Sequence, residues 1–315
     1  MPSPERALTE RDKPVRYNRG VGTRQADFLF ELIDYAGIFP PAALESLVSA
    51  ENYSNLLDSD NQWIVGNLAW SVERLNDFRE FAPKELSWSL AAIGRNSTDW
   101  ESWKNARAQD GKEIDGFLSH FPDVDIASYE FKVSDLTHIE QAIKACKPMT
   151  RTMDVFFELP WDQDISESLA SIASSEAIQV KFRTGGIKSE NYPTSLQLAT
   201  VIKHCTDLEL PFKLTAGLHE PIAHLDESKG ANAHGFLNVL YATALAYFDD
   251  ESIDTMVEVL SSTNESDWAY GDSGLAWKGQ LIDTDSLNEV RALFTSLGSC
   301  SVTEPLQGLA RLATI

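Results

Sequence analysis

Two lysines in the second half of the chain have residue types and spacing suited to carbonyl chemistry. Lys181 and Lys213 each lie in a short apolar run followed by small residues, which is typical of a β-strand that ends in a loop. Because side chains alternate between the two faces of a strand, Lys181 would share a face with Arg183, and Lys213 a face with Thr215. Burying even one cation is costly unless it is paired. Three cations that converge on one interior therefore predict a functional site.

The chemistry that this arrangement predicts is Schiff-base formation. A lysine close to other cations has its pKa lowered, because a like charge disfavours the ammonium form, and the neutral amine is the form that attacks a carbonyl. Glu158 ends the preceding predicted strand and is placed to move protons. We therefore predict Lys181, Lys213 and Glu158 as catalytic residues of an enzyme with lyase or isomerase chemistry on a small oxygenated, anionic metabolite. The sequence leaves open which lysine is the reactive amine.

Six further residues are predicted to contact the substrate. An arginine can hold a carboxylate or phosphate with two parallel hydrogen bonds, and a histidine can carry a proton near neutral pH. Barrel enzymes place their active sites at the carboxyl ends of the strands. The ends of the first, fourth, sixth and seventh predicted strands supply Asp34, Glu130, Lys132, Arg183, Thr215 and His219.

Two alternatives keep the same residues but remove the covalent step. In the first, the barrel interior is an ion-paired plug, with Glu158 against Lys181 and Glu130 against Lys132. In the second, the cations bind an anionic metabolite in a non-catalytic barrel. Both alternatives satisfy the rule that buried charges are paired.

A metal-dependent hydrolase or isomerase is a further alternative. His219, His224 and His234 follow the seventh predicted strand, and imidazole nitrogens are common ligands of zinc and iron. These histidines all come from one loop region, and no early strand offers an H-x-H pattern. We therefore predict that the protein uses no metal and no cofactor.

The elements that would position these residues alternate between strand and helix from about residue 28 onward. About eight such units, without an internal linker, predict an α/β protein with a single (β/α)8 TIM-type barrel over residues 28–315 and a flexible N-terminal extension over 1–27. No GxGxxG or GxxxxGK[ST] motif supports the alternative, an open doubly wound sheet. The predicted barrel strands are 32–39, 63–70, 86–93, 126–133, 152–159, 178–183, 211–216 and 275–280, and the predicted last helix is 287–297.

Composition narrows the class of partner. The formal net charge of −22 disfavours nucleic acid and anionic membranes, because both need a basic face. No apolar run approaches the roughly 20 residues of a membrane helix, and the polar N-terminus lacks the apolar region of a secretory signal. The three cysteines show no zinc spacing. These features predict an acidic cytoplasmic protein with reduced thiols and a small-molecule substrate, and they are compatible with a homo-oligomer.

The two lysine strands resemble those of deoxyribose-phosphate aldolases. The segment VKFRTG at 180–185 is similar to their V-K-T-S-T-G strand, which carries the Schiff-base lysine, and FKLTAGL at 212–218 is similar to V-K-A-S-G-G-I, whose lysine tunes the first. The segment FFE at 156–158 resembles their preceding I-L-E strand. The resemblance implies class I aldolase-like chemistry on a barrel, with Lys181 as the Schiff-base lysine.

The sequence departs from that pattern in three places. Arg183 stands where the aldolases have a small hydroxyl residue, and His219 begins a His-Glu-Pro run where they bind phosphate through small residues and backbone. Their catalytic aspartate has no clear counterpart in 126–133. The resemblance therefore implies the type of chemistry and leaves the substrate open.

A second resemblance covers most of the chain. The segments IDYAGIFPP at 33–41, HGFLN at 234–238 and GSCS at 298–301, together with the two lysine strands, are similar to an uncharacterised group of bacterial proteins. This resemblance supports the boundaries of the barrel and implies no activity.

Overall fold

Eight parallel strands close into a barrel, which confirms the predicted (β/α)8 architecture. The computed structural model describes residues 26–78, 88–161, 163–249 and 251–315, so most of the predicted extension 1–27 lies outside the described residues. The order around the barrel is the first strand, a late strand, and then the seventh back to the second. In chain order the strands are β1 (Ile33–Tyr35), β2 (Val65–Ser71), β3 (Ser89–Ile93), β4 (Asp125–Lys132), β5 (Asp154–Glu158), β6 (Gln179–Arg183), β7 (Phe212–Thr215), β8 (His224–Asp226), β9 (Ala231–Ala233), β10 (Trp268–Gly271), β11 (Gly274–Trp277), β12 (Gln280–Asp283), β13 (Phe294–Ser299) and β14 (Ala313–Thr314).

Helices follow most of the barrel strands and cover the outside of the barrel. Several begin at a side chain that accepts a backbone N–H, as Asp99 and Thr194 do, which satisfies donors that a helix start leaves free. In the described chain the helices are α1 (Ser46–Leu57), α2 (Trp100–Leu118), α3 (Ile139–Cys146), α4 (Ser166–Ser174), α5 (Ser195–Asp207), α6 (Phe236–Phe248), α7 (Ile253–Leu260), α8 (Thr284–Val290) and α9 (Thr303–Leu309). None of these helices is both long enough and apolar enough to cross a membrane.

The alternation of side chains along the strands decides what enters the barrel. On β6 and β7 the residues between the charged positions are apolar and fully buried: Val180, Phe182, Phe212 and Leu214. These four pack into the apolar layer between the barrel and its helices. Lys181 and its neighbour on β7 therefore face the barrel interior, as the period of two predicts.

The predicted last strand and last helix are wrong. Residues 287–297 were expected to be helical, but α8 ends at Val290 and the chain then forms β13, the eighth barrel strand. The apolar residues Leu293, Phe294 and Leu297 fit either a helix face or a strand buried on both sides, and spacing alone does not separate the two. The segment forms a strand because it pairs with β7 on one side and with β1 on the other, which closes the barrel.

The segment predicted as the eighth barrel strand belongs to a separate small sheet. Its core, β11, pairs antiparallel with β10 and β12, and β14 joins β10 in parallel. The neighbouring α6 packs against this sheet through Tyr241, whose ring meets those of Trp268 and Trp277 edge-on. The sheet is therefore an addition outside the barrel, with three strands placed between α7 and α8 in the chain and the fourth, β14, after α9.

One guanidinium joins the first and last strands of the barrel. Arg291, just after α8, donates to the backbone carbonyls of Phe28 and Phe30 before β1. It also donates to the carbonyls of Phe294 and Thr295 on β13. Burial lowers the pKa of Arg291, although Asp34 and Glu31 oppose that shift. The guanidinium thus holds the first and last barrel strands together at their amino ends.

The loops after β6 and β7 touch through glycine. A Cβ atom added at Gly185 would lie 2.7 Å from the Cα of Gly217, which itself has a φ of +80°. The hydroxyl of Thr184 donates to the carbonyl of Ala216 across the same contact. Close backbone packing at this point fixes the spacing between the carboxyl ends of the two lysine strands.

We expect the substitution Gly185→Ala to destabilise the protein by about 1–3 kcal/mol, because the added methyl group meets backbone that must move. Urea unfolding followed by circular dichroism measures the change. Gly111→Ala on α2 is the matched control, since a Cβ there meets nothing within 4 Å, and it should stabilise by about 0.5–1 kcal/mol. Equal stability of the Gly185 variant and wild type would contradict the close packing.

Candidate active site

The two lysines are direct neighbours inside the barrel. Lys181 on β6 pairs in register with Lys213 on β7, and with Glu158 on β5. Both lysines are 3% exposed. Their side chains therefore meet in the interior below the carboxyl-terminal mouth of the barrel, where the sequence predicted them.

Glu130 on β4 bridges the two lysines. One carboxylate oxygen accepts from Lys213 and from the hydroxyl of Ser128, and the other accepts from Lys181 at 3.2 Å. Burial disfavours the charged carboxylate, but the ammonium groups of Lys213 and Lys181 outweigh burial and lower the pKa of Glu130. Glu130, the acidic residue of the fourth strand, thus contacts both lysines.

Asp34 on β1 holds Lys213 from the other side. One of its carboxylate oxygens accepts from the backbone and side-chain nitrogens of Asn67, and the other accepts from Ser296 and contacts Lys213. Asp34 is 1% exposed and lies among these partners. The geometry favours a role in positioning Lys213 over the substrate contact predicted for Asp34.

The charge state of Lys213 differs from the expectation of a lowered lysine pKa. Burial opposes the ammonium form, but the carboxylates of Asp34 and Glu130 outweigh burial and raise the pKa of Lys213. The ammonium also lies 5.3 Å from the centre of the Phe156 ring, a favourable cation–π distance. Lys213 is therefore a fixed positive charge at neutral pH.

Glu158 connects the buried cluster with the mouth of the barrel. It contacts Lys181 at 3.0 Å and Arg183 at 3.6 Å, and its side chain is 13% exposed. Burial raises its pKa, but the charges of Lys181 and Arg183 outweigh that effect, with a smaller contribution from Lys132, so the pKa is lowered overall. Arg183 and Lys132 are both exposed at the rim.

The ion-paired alternative is correct in part. Glu158 pairs with Lys181 as that alternative expected, but Glu130 pairs with Lys181 and Lys213 instead of Lys132. Lys132 lies at the end of β4, level in register with Glu158. The pairing satisfies the buried charges and does not by itself distinguish a structural from a catalytic cluster.

The remaining predicted contacts lie above this cluster. Thr215 ends β7, and its hydroxyl lies against Gly298 on β13. His219, in the loop that follows, forms a contact of 2.7 Å with Glu304 at the start of α9. Both Thr215 and His219 are partly exposed, so the structure leaves them accessible on the β7 side of the mouth.

The histidines do not gather around one point. His234 is buried and contacts the carbonyl of Pro193, His224 contacts the carbonyl of Ile222, and His219 faces a carboxylate. Across the described residues, no group of three or more His, Cys, Asp or Glu side chains is arranged to hold a metal ion. The geometry gives no support to the metal-dependent alternative.

Several residues of the site went unrecognised or received little weight in the sequence. Ser128 lies two residues before Glu130, so the alternation along β4 could have included it. Asn67 was visible as a polar residue in an apolar strand. Ser296 was hidden by the incorrect helix 287–297, and the ring of Phe156 could not be connected with Lys213 without the stagger of the strands.

The comparisons with known proteins add little to this picture. No protein-family model and no curated protein matches the chain. Among solved structures, catalytic-site mutants of active domain 2 of a chitinase from Pyrococcus furiosus match with a TM-score of 0.38 and 12% identity, covering 83% of this chain and 95% of that one. The same domain complexed with chito-oligosaccharides matches with a TM-score of 0.37 and 10% identity, covering 82% and 92%. Likeness at this level carries no conclusion about activity, and the fold rests on the strand order.

We expect Glu130→Gln to destabilise the protein by about 3–5 kcal/mol at pH 7, because it removes the carboxylate shared by two buried ammonium groups. The pKa of Glu130 lies below its ordinary value of 4.5, so wild type has this stabilisation above pH 4.5 and loses it as the pH falls through the lowered pKa. The difference between wild type and variant in urea unfolding should therefore shrink in acid.

The control is Glu101→Gln, which removes the carboxylate of an exposed surface pair with Lys104. It should leave the unfolding curve unchanged at neutral pH. If the Glu130 and Glu101 variants were equally stable at pH 7, the bridging role of Glu130 would be wrong.

Proposed function

We propose that the protein is a Schiff-base enzyme, a lyase or isomerase that acts on a small carbonyl compound through Lys181. One observation carries the proposal. The amine of Lys181 lies between two carboxylates, one buried and one partly open to the mouth, beside a second lysine that is held as a fixed cation.

The surroundings favour Lys181 over Lys213 as the nucleophile. Lys213 is enclosed by Asp34 and Glu130, and its raised pKa keeps it in the ammonium form, which cannot attack a carbonyl. Lys181 instead contacts Glu158, whose side chain reaches the mouth. A substrate carbonyl that enters from the mouth meets Lys181 and Glu158 together.

Glu158 can supply the proton transfers. It takes a proton from the ammonium of Lys181, and the free amine then adds to the substrate carbonyl carbon. Proton transfer from nitrogen to oxygen gives the carbinolamine, and the carboxylic acid of Glu158 protonates its hydroxyl group. Water leaves, an iminium ion forms, and Glu158 is again a carboxylate.

The iminium ion provides the driving force for the next step. In a lyase it accepts the electron pair of a neighbouring carbon–carbon bond, while the Glu158 carboxylate takes the hydroxyl proton of the departing carbonyl fragment. In an isomerase it accepts the electron pair of a neighbouring carbon–hydrogen bond, and Glu158 takes that proton. Either step leaves a neutral enamine on Lys181. The positive charge of the iminium ion takes the place of the Lys181 ammonium, so Glu130 keeps a cation on each of its oxygens. At the iminium stage the charges around Glu130 therefore match those of the resting cluster.

Borohydride reduction in the presence of small aldehydes, ketones and oxo acids tests the proposal. We expect a covalent adduct by intact-mass spectrometry, and peptide mapping of the wild-type protein should place it on Lys181. Lys181→Met should abolish the adduct, while Lys188→Met, which removes an exposed lysine in the loop after β6, should leave it unchanged.

The mapping uses wild-type protein, so the test does not depend on the folding of a variant. An adduct found only on Lys213 would show that Lys213, and not Lys181, is the reactive amine. The absence of any adduct across the carbonyl panel would overturn the Schiff-base proposal and favour non-covalent binding of an anion.

A further inference from the structure

The charges around the mouth of the barrel are divided between two sides. On the side of β4, β5 and β6, Lys132 and Arg183 flank Glu158, which leaves one positive charge in excess. On the side of β7 and β13, Glu304 contacts His219 in the loop after β7, and Glu220 of that loop lies against Gly308 of α9. An anionic substrate entering the barrel is attracted to the first side.

The side of β7 and β13 is where barrel enzymes often bind phosphate, in the loops after the last two strands and at the start of a short helix. Here that helix is α9, and its first turn carries Glu304. Glu220 lies against Gly308 of the same helix. It pairs with Arg311, which also pairs with Glu265. These carboxylates repel a phosphate group, and His219 faces one of them.

The side of β4, β5 and β6 offers a binding site for one carboxylate. The side chain of Arg183 is about half exposed, at 51%, and its Nε lies 3.6 Å from Glu158, so the guanidinium is not buried in that pair. The indole N–H of Trp161 donates to the backbone carbonyl of Arg183 and fixes the end of β6. With the end of β6 fixed in this way, the exposed guanidinium can bind a carboxylate through two parallel hydrogen bonds, with Lys132 adding a second charge.

We propose that the substrate is a small, unphosphorylated oxo acid. Its carboxylate binds Arg183 and Lys132 at the rim, and its carbonyl faces Lys181. This inference rests on the Schiff-base function proposed above and adds the chemical class of the substrate. One net positive charge at the rim matches the single charge of a carboxylate, while the carboxylates near α9 exclude the dianionic phosphate.

The test measures the rate at which cyanoborohydride fixes three two-carbon aldehydes on Lys181: glyoxylate, glycolaldehyde and glycolaldehyde phosphate. Next to the aldehyde they carry a carboxylate, a hydroxymethyl group and a phosphorylated hydroxymethyl group. We expect Arg183→Ala to slow labelling by glyoxylate about tenfold or more, because a charge-assisted pair is lost. Neutral glycolaldehyde forms no ion pair with Arg183, so its rate in the same variant reports the effect of the lost charge on Glu158. The variant-to-wild-type ratio for glyoxylate, divided by that for glycolaldehyde, isolates the contact with the carboxylate and cancels the intrinsic reactivity of each aldehyde.

Two matched variants complete the design. Lys188→Ala removes an exposed cation from the loop after β6 and should leave the glyoxylate rate unchanged. Glu304→Gln removes the carboxylate at the start of α9 and should accelerate labelling by glycolaldehyde phosphate while leaving glyoxylate unaffected.

The outcomes separate this inference from the function beneath it. No labelling of Lys181 by any of the three aldehydes would overturn the Schiff-base function. A glyoxylate rate that Arg183→Ala leaves unchanged, or a glycolaldehyde phosphate rate that this substitution slows more than the glyoxylate rate, would overturn the oxo-acid inference alone.

Discussion

Two ammonium groups inside one barrel require carboxylates, and this electrostatic constraint organises the interior. Lys181 and Lys213 are neighbours on adjacent strands, where each would destabilise the charged form of the other. Glu130 forms ion pairs with both lysines, while Asp34 pairs with Lys213 and Glu158 pairs with Lys181. The compensation reaches across the barrel, since these five side chains come from five different strands, so the charge cluster also ties opposite walls together.

The same compensation gives the two lysines different chemical characters. Lys213 is enclosed by carboxylates on both sides and keeps its proton. Lys181 shares Glu130 but turns its other contact toward Glu158 and the mouth. Both lysines are 3% exposed, so the difference between them lies in their counter-ions and not in their depth. Both carboxylates that pair with Lys213 are buried in the interior, whereas one carboxylate that pairs with Lys181 borders the mouth.

The alternation of side chains along the strands made the faces of the two lysines predictable. It did not predict which side chains of distant strands contact each other. The faces of Lys181 and Lys213 follow directly from the period of two, and the order of units along the chain gave the barrel. That Glu130 reaches both lysines depends on the stagger of four strands, which closure of the barrel sets and no local pattern records. Ser296 was lost for a simpler reason, because its apolar neighbours suit a helix as well as a buried strand.

The guanidinium of Arg291 has a consequence for the order in which the chain folds. It connects carbonyls that precede β1 with carbonyls of β13, residues that lie at opposite ends of the described chain. Contacts of such large sequence separation carry the highest cost in loop-closure entropy. On the ribosome, the earlier βα units can pair as they emerge, but the ring cannot close until β13 has been made. Until then β1 and β7 have open edges that are available to other chains.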